Sequence, residues 1–371
     1  FGSSHFDSSS SLAFTLLRAH GLLQVFSIMG GNYAKPAEIK SKYYPSYVQN
    51  DLPRMDGKTV AITGSTSGTG FICANALAGA GARVIMLNRP SARAEAAVKA
   101  VQEAVPGSDV RHVACDLMSF DSVRKAAQQL KSELSELDVL CNNAGIMATK
   151  DEATVDGCDT QMQTNHLSHY LLTAELWPLL EKAANGPKGE ARVVNHSSGA
   201  RNRGGDGKKP LDEKFLQKNG GNLGGDDVGR RPFSGARWTR YQQTKLANVV
   251  FTYALRDRAA ASKSKVKSLC AHPGLSATNL QVTTSQDGGM GEGFTNFFMK
   301  CLSQSGEDGT VPLLRCCADP SAKSGDFFGP AKLTGPAVLM PSEPEEAFCD
   351  EASMKMLMEV SAEITGASFS F

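Results

Sequence analysis

Between residues 58 and 270 the chain alternates between short apolar, β-branched runs and longer segments with helical spacing. The runs at 59–63, 83–87, 110–115, 138–141, 192–196 and 266–270 have the length and residue types of buried strands. The segments between them are long enough for helices. Residues 92–104 are rich in Ala and Glu, and 121–134 repeat their apolar positions at three- and four-residue intervals. This alternation predicts a parallel sheet covered by helices on both faces, in one α/β domain over residues 51–371.

Two regions depart from the pattern. Residues 1–50 read as an N-terminal extension. Serines crowd the first eleven positions, and an apolar stretch from 12 to 29 is interrupted by Arg18, His20 and Gln24. A membrane-spanning helix needs about 20 mostly apolar residues, so no span is expected here. The stretch reads as a helix docked on a membrane surface or a partner, as one laid on the protein's own surface, or as a targeting remnant. Its Phe-led, Ser-rich, acid-poor composition resembles plastid-targeting leaders, which predicts a plastid location. The second region, 199–235, holds ten glycines beside Arg201, Arg203, Lys208, Lys209, Arg230 and Arg231. Such sequence buries too little apolar area to offset its ordering entropy, which predicts a mobile excursion anchored at 211–215. It is either a substrate flap or a plain insertion.

Composition narrows the function. With 41% hydrophobic and 21% charged residues there is ample material for a core. Lys and Arg number 39 against 38 Asp and Glu, a net charge of +1, which argues against a cationic nucleic-acid face. The nine cysteines include no CxxC, and Cys115, Cys141 and Cys270 fall in strand-like runs. These features argue against a disulfide scaffold and a zinc site, for a reducing compartment, and for no metal.

The candidate chemistry sits at the ends of the strand-like runs. The first is followed by Thr63-Gly64-Ser65-Thr66-Ser67-Gly68-Thr69-Gly70 and then a helix-like segment. Gly64 permits a tight turn, Gly68 lets the backbone approach a pyrophosphate, and Gly70 allows helix to pack on strand. The N–H groups at the helix start face the anion. This is the phosphate cradle of a doubly wound, Rossmann-type sheet that binds a dinucleotide. The second run ends in Leu87-Asn88-Arg89, where an NAD site would carry Asp or Glu. Arg89 can grip a 2′-phosphate, with Asn88 or Ser65 as helpers, which predicts NADP(H); a solvated surface Arg is the alternative.

Tyr241 and Lys245 lie four apart on one face of a predicted helix reaching to about residue 258. With seven tyrosines in the chain, that pair alone carries little weight. Asn142-Asn143-Ala144-Gly145, Ser197-Ser198 and His272-Pro273-Gly274 also follow strands, in order. On these motifs the chain resembles the short-chain dehydrogenase/reductases over about residues 55–285. Within them it resembles the branch of retinol dehydrogenases, WW-domain-containing oxidoreductases and protochlorophyllide reductases.

The resemblance implies roles at the matching positions. Gly64, Gly68 and Gly70 form the pyrophosphate turn, Asp116 and Leu117 border the adenine, and Asn143, Ala144 and Gly145 line the cofactor cleft. Pro273, Gly274 and Thr278 belong to the nicotinamide-side loop. Asn165, Ser198, Tyr241 and Lys245 are the catalytic set, with Ser197 the fallback for Ser198. Asn165 holds a relay water, and Lys245 also holds the nicotinamide ribose. Tyr241 acts as general acid and base, and Lys245 one turn away is expected to draw its phenol below the usual value of about 10.

The activity so implied is hydride transfer between NADP(H) and a carbonyl or alcohol of a small apolar substrate. Region 275–305, with Met290, Phe294, Phe297, Phe298 and Met299, is either a pocket lid or ordinary helix core. The competing reading is a non-catalytic dinucleotide-binding subunit that docks on an assembly through residues 1–50. A third, light-driven tetrapyrrole reduction, lacks a clear site. Family members often pair through the long helices bearing Asn165 and Tyr241, which predicts a homodimer.

Overall fold

The computed structural model describes residues 39–202, 210–231, 233–291, 302–341 and 349–371, together with residue 299. The apolar stretch 12–29, most of the N-terminal extension, and Phe294, Phe297 and Phe298 lie outside the described residues.

The sheet has eight strands: β1 (Thr59–Thr63), β2 (Arg83–Asn88), β3 (Val110–Ala114), β4 (Val139–Asn142), β5 (Ala191–His196), β6 (Val266–Ala271), β7 (Phe327–Pro330) and β8 (Ala337–Leu339). Their order is β3-β2-β1-β4-β5-β6-β7-β8, and all pairs are parallel except β7 with β8. The first six match the expected runs within one or two residues; β7 and β8 are additional. The chain runs outward from β1 to β3 and then returns to place β4 beside β1. That reversal leaves a crevice at the carboxyl ends of β1 and β4, where ligands bind in such sheets.

Alternation along the central strands feeds two apolar layers. Val60, Ile62, Val139, Cys141 and Val194 face one layer, while Ala61, Leu140 and Val193 face the other. Helices α1 (Gly68–Gly79), α2 (Ala92–Ala104) and α3 (Phe120–Glu133) follow β1, β2 and β3. Ser91 and Ser119 cap the last two by accepting from Ala94 N and Ser122 N. A short helix (Thr160–Met162) runs through a π turn (Gln163–Leu167) into α4 (Ser168–Asn185). The long α5 (Ala236–Ala261), α6 (Asn279–Gln286), α7 (Val311–Ala318) and α8 (Glu351–Thr365) complete the described helices.

The described end of the N-terminal extension, residues 41–51, packs on the folded unit. Tyr44, Tyr47, Val48 and Leu52 pack on the α1/α7 face, and the backbone N–H groups of Lys42, Tyr43 and Tyr44 all donate to the buried Asp308 carboxylate at 2.8–3.1 Å.

The described part of the Gly-rich insertion is held by contacts from outside it. Asp151 accepts from Leu223 N and Gly225 N. The fully buried Arg240 donates to Gly225 O and pairs with Asp159 at 3.4 Å. Leu211 and Phe215 are buried, as an anchor requires.

Finally, α8 packs across α4 and α5, the helices expected to form a dimer face. His166 bonds Ser361 Oγ, Tyr170 OH donates to Met358 O, and Phe369 meets Tyr170 and Trp177 edge-on. This face is covered by the chain's own end. No described helix is long and apolar enough to cross a membrane.

Candidate active site

A cleft of about 830 Å³ opens at the carboxyl ends of the strands. Its floor is the turn between β1 and α1. Gly64 and Gly68 have φ of +66° and +57°, which L side chains rarely adopt. A Cβ on Gly64 would also lie 2.7 Å from Ala144 Cα, so only glycine lets the two loops touch. Gly70 is confined likewise by Asn143 Nδ2 and Gly64 O.

Asn143 fastens the turn from the side. Its Nδ2 donates to Thr63 O at 2.9 Å and Gly64 O at 3.2 Å, and its Oδ1 accepts from Thr69 Oγ1 and His196 Nδ1. Ala144 N donates to Thr63 Oγ1. Thr278 caps α6 through a reciprocal pair with Gln281 and lies opposite Gly68, and Gly274 is left-handed at φ +63°. Pro273 O is held by Ser276 Oγ and Gln304 Nε2.

At one end of the cleft stand Asn88, Arg89, Asp116 and Leu117. The Arg89 guanidinium has no hydrogen bond or ion pair among the described residues. Asn88 and Ser65 are instead committed to each other: Ser65 N donates to Asn88 Oδ1 at 2.7 Å, and Asn88 Nδ2 donates to Ser65 Oγ at 3.1 Å. Ser65 is fully buried, so it fixes the turn and does not reach the cleft. Arg93, on the first turn of α2, enters the cleft and donates to Ser67 Oγ at 2.6 Å. It was not singled out in the sequence, although it follows Arg89 by four residues.

At the other end, Ser198, Tyr241 and Lys245 converge with Asn165. The Tyr241 phenol faces Ser198, which favours its charged form. The adjacent Ser197 points away and donates to Lys245 O at 2.7 Å, which separates the two serines. Lys245 Nζ donates to His196 O at 2.9 Å and sits 5.8 Å from the Tyr241 ring centre. Asn165 lies in the π turn; its Oδ1 accepts from Ile146 N, and its Nδ2 donates to Ile146 O and Thr244 Oγ1. Asn165 O accepts from His169 Nδ1.

The expected downward pull on Tyr241 is reversed. Burial pushes its phenol up to about 12, opposed by Ser198. Burial also pushes Lys245 down, to about 8. Helical spacing puts the two on one face, but burial disfavours the charged form of each. Burial likewise pushes His196 and His272 down to about 3, so both are neutral. The Nε2 of each lacks a partner among the described residues, and both side chains line the cleft.

Around Tyr241 lies an apolar cluster of Met147, Ala148, Phe233, Trp238, Leu280 and Met290. Trp238 Nε1 donates to Gly289 O, Phe233 meets Trp238 edge-on, and Met299 also lines this end. Thus the insertion and region 275–305 both supply wall here. Trp238, three residues before Tyr241 on the same helix face, was readable from that spacing and missed. Ala148 and Phe233 are both left-handed without being glycine, at φ +49° and +62°. Such backbone strain of roughly 1–3 kcal/mol concentrates at functional sites.

The model of the short chain dehydrogenase family matches residues 58–209. Human retinol dehydrogenase 13 is 31% identical over 250 residues, covering 67% of this chain and 68% of that protein. The chain belongs to the short-chain dehydrogenase/reductase family. Its place is in the retinol dehydrogenase-like branch. An uncharacterized oxidoreductase of Schizosaccharomyces pombe is 33% identical over 237 residues; the match takes in 64% of this chain and 65% of that relative's length. The crystal structure of an uncharacterized protein from Mycobacterium paratuberculosis superposes with a TM-score of 0.65 at 30% identity, over 90% of this chain and all of that one. As in a short-chain dehydrogenase/reductase, the glycine turn and the Tyr–Lys pair of this chain open onto one cleft.

Proposed function

We propose that this protein is an NADP(H)-dependent oxidoreductase that moves hydride between nicotinamide and the carbonyl or alcohol carbon of a small apolar substrate. The observation that carries the reading is that Ser198, Tyr241 and Lys245 line one end of a cleft whose far end holds Arg89, a guanidinium with no partner among the described residues.

The cleft fits the dinucleotide. The Gly64–Ala144 contact leaves a flat cradle for a pyrophosphate, and the α1 N–H groups aim into it. Arg89 and Arg93 suit a 2′-phosphate, Asp116 and Leu117 border the adenine, and Asn143 to Gly145 form the wall. Pro273, Gly274 and Thr278 flank the nicotinamide side, and Lys245 takes the ribose. When bound, the nicotinamide supplies or accepts the hydride.

The chain's own residues do the rest. Ser198 Oγ and the Tyr241 phenol hold the substrate oxygen, and their hydrogen bonds strengthen as negative charge develops on it. The Tyr241 phenol is neutral at pH 7 and donates its proton to that oxygen in reduction. In oxidation it takes the proton back, with Ser198 favouring the charged form. Asn165 fixes Ile146 and Thr244 around the pair and is the candidate to lead protons to solvent. The apolar wall of Met147, Phe233, Trp238 and Leu280 excludes water and selects an apolar substrate.

The test is NADPH consumption by the purified protein across retinoid, carotenoid-derived, steroid and quinone carbonyls. At least one should turn over, and Tyr241→Phe should abolish it. Turnover that survives Tyr241→Phe removes the assignment of Tyr241, and no turnover across the panel removes the substrate class.

A further inference from the structure

Three cysteines far apart in sequence meet beneath the cleft. Cys73 of α1, Cys141 of β4 and Cys317 of α7 place their Sγ atoms within 4.8 Å of one another. All three are buried in the apolar layer that contains Ile62, Val139 and Leu313. None of the described cysteines forms a disulfide.

A thiolate alone in this apolar layer would be costly, and a single positive charge among the three sulfurs offsets it.

We propose that Cys73, Cys141 and Cys317 form a trigonal site for a soft monovalent cation, copper(I). The ion replaces one of the three thiol protons, which leaves to solvent. One copper–thiolate bond forms, and the lone pairs of the other two sulfurs complete the coordination. Neither copper nor sulfur changes oxidation state, and the product is neutral.

Soft sulfur donors select copper(I), whereas zinc requires a fourth ligand and would leave a net charge on a single thiolate. With metal–sulfur bonds near 2.3 Å, trigonal sulfurs stand about 4 Å apart, so each needs to move by less than about 1 Å. Cys73 follows the phosphate turn on α1, and Cys141 precedes Asn142-Asn143, so the ion would tie that helix to the strand under the cleft.

The experiment uses the full chain, reduced and under argon, titrated with copper(I) buffered by bathocuproine disulfonate. The expected result is one tight equivalent and a raised Tm. Cys73→Ala, Cys141→Ala and Cys317→Ala should each weaken that equivalent at least 100-fold, while Cys158→Ala and Cys349→Ala leave it unchanged. Where Cys317→Ala fails to fold, Cys317→Ser removes the soft donor while keeping an acceptor. Absence of binding, tight binding that survives the cluster substitutions, or equal loss in the two controls overturns the site. A cluster-dependent rise in Tm with zinc in place of copper overturns the choice of ion.

Discussion

Ser197 donates its hydroxyl to the Lys245 carbonyl at 2.7 Å, while Ser198 next to it meets the Tyr241 phenol. Two adjacent serines thus divide between holding α5 against β5 and facing the cleft. Ser198→Ala is expected to lower kcat by about 10²–10³, as loss of a donor to a developing oxyanion does, with little change in Tm. Ser197→Ala should cost about 1 kcal/mol of stability and leave kcat within a few-fold. Steady-state kinetics and thermal melts on the two variants check this; the reverse pattern exchanges the roles.

Arg89 and Arg93 frame the same end of the cleft. A charge-assisted hydrogen bond to phosphate contributes about 1.5–3 kcal/mol. Arg89→Ala should therefore raise KM for NADPH roughly 10- to 100-fold while KM for NADH moves little. Arg93→Ala should give a smaller change in the same direction. A parallel loss for both nucleotides would mean that neither side chain reads the 2′-phosphate.

Stability should depend on pH in a particular way. Burial pushes His166, His169, His196 and His272 down to about 3, 4, 3 and 3 from 6.5. Between those values the unfolded chain binds more protons, so this contribution is intact above pH 6.5 and declines as pH falls. Each imidazole removes up to about 1.4 kcal/mol per pH unit. Lys245, pushed down to about 8, favours folding as pH rises from 8 to 10.5, but Cys115, Cys158, Tyr170 and Tyr241, pushed up to about 12, 11, 12 and 12, act against it, so stability should fall above pH 9. Urea titrations from pH 4 to 11 read these limbs. A flat acid limb excludes the histidine contribution, and Lys245→Met should steepen the alkaline fall.

Asp308 accepts from three consecutive backbone N–H groups of the N-terminal segment. Asp308→Ala should cost about 2–3 kcal/mol, because hydrogen bonds to a charged group are the stronger kind. Deleting residues 1–51 should remove the same interaction, so the deletion and Asp308→Ala together should be less than additive in denaturant melts. Full additivity would show that the carboxylate and the segment act separately.

Much of this architecture was legible because buried parallel strands read as continuous apolar runs, and Tyr241 and Lys245 share a face by spacing alone. β7 and β8 escaped notice because runs of four and three residues, one ending in Gly329-Pro330, carry almost no periodic signal. The direction of the Tyr241 shift was not legible either, since spacing sets the face of a helix and not its depth. Glycine content in the insertion reported the entropy cost correctly, but Asp151 and Arg240, which offset it, come from outside the segment. The thiol cluster was hidden for the same reason: residues 73, 141 and 317 meet only through topology.

Arg240 gives that argument a test. It is fully buried between Asp151 and Asp159, and burial pushes the Asp159 carboxyl up to about 6 even with the guanidinium beside it. Arg240→Met should cost about 3–5 kcal/mol by stranding buried acids. It should also speed limited proteolysis within residues 210–231. Unchanged cleavage would mean that the insertion is held by its own contacts.

The placement of α8 across α4 and α5 has a further consequence. The last twenty residues supply, within one molecule, the packing that a neighbouring copy would otherwise provide on that side. Unseating α8 would bare an apolar strip on α4 and α5.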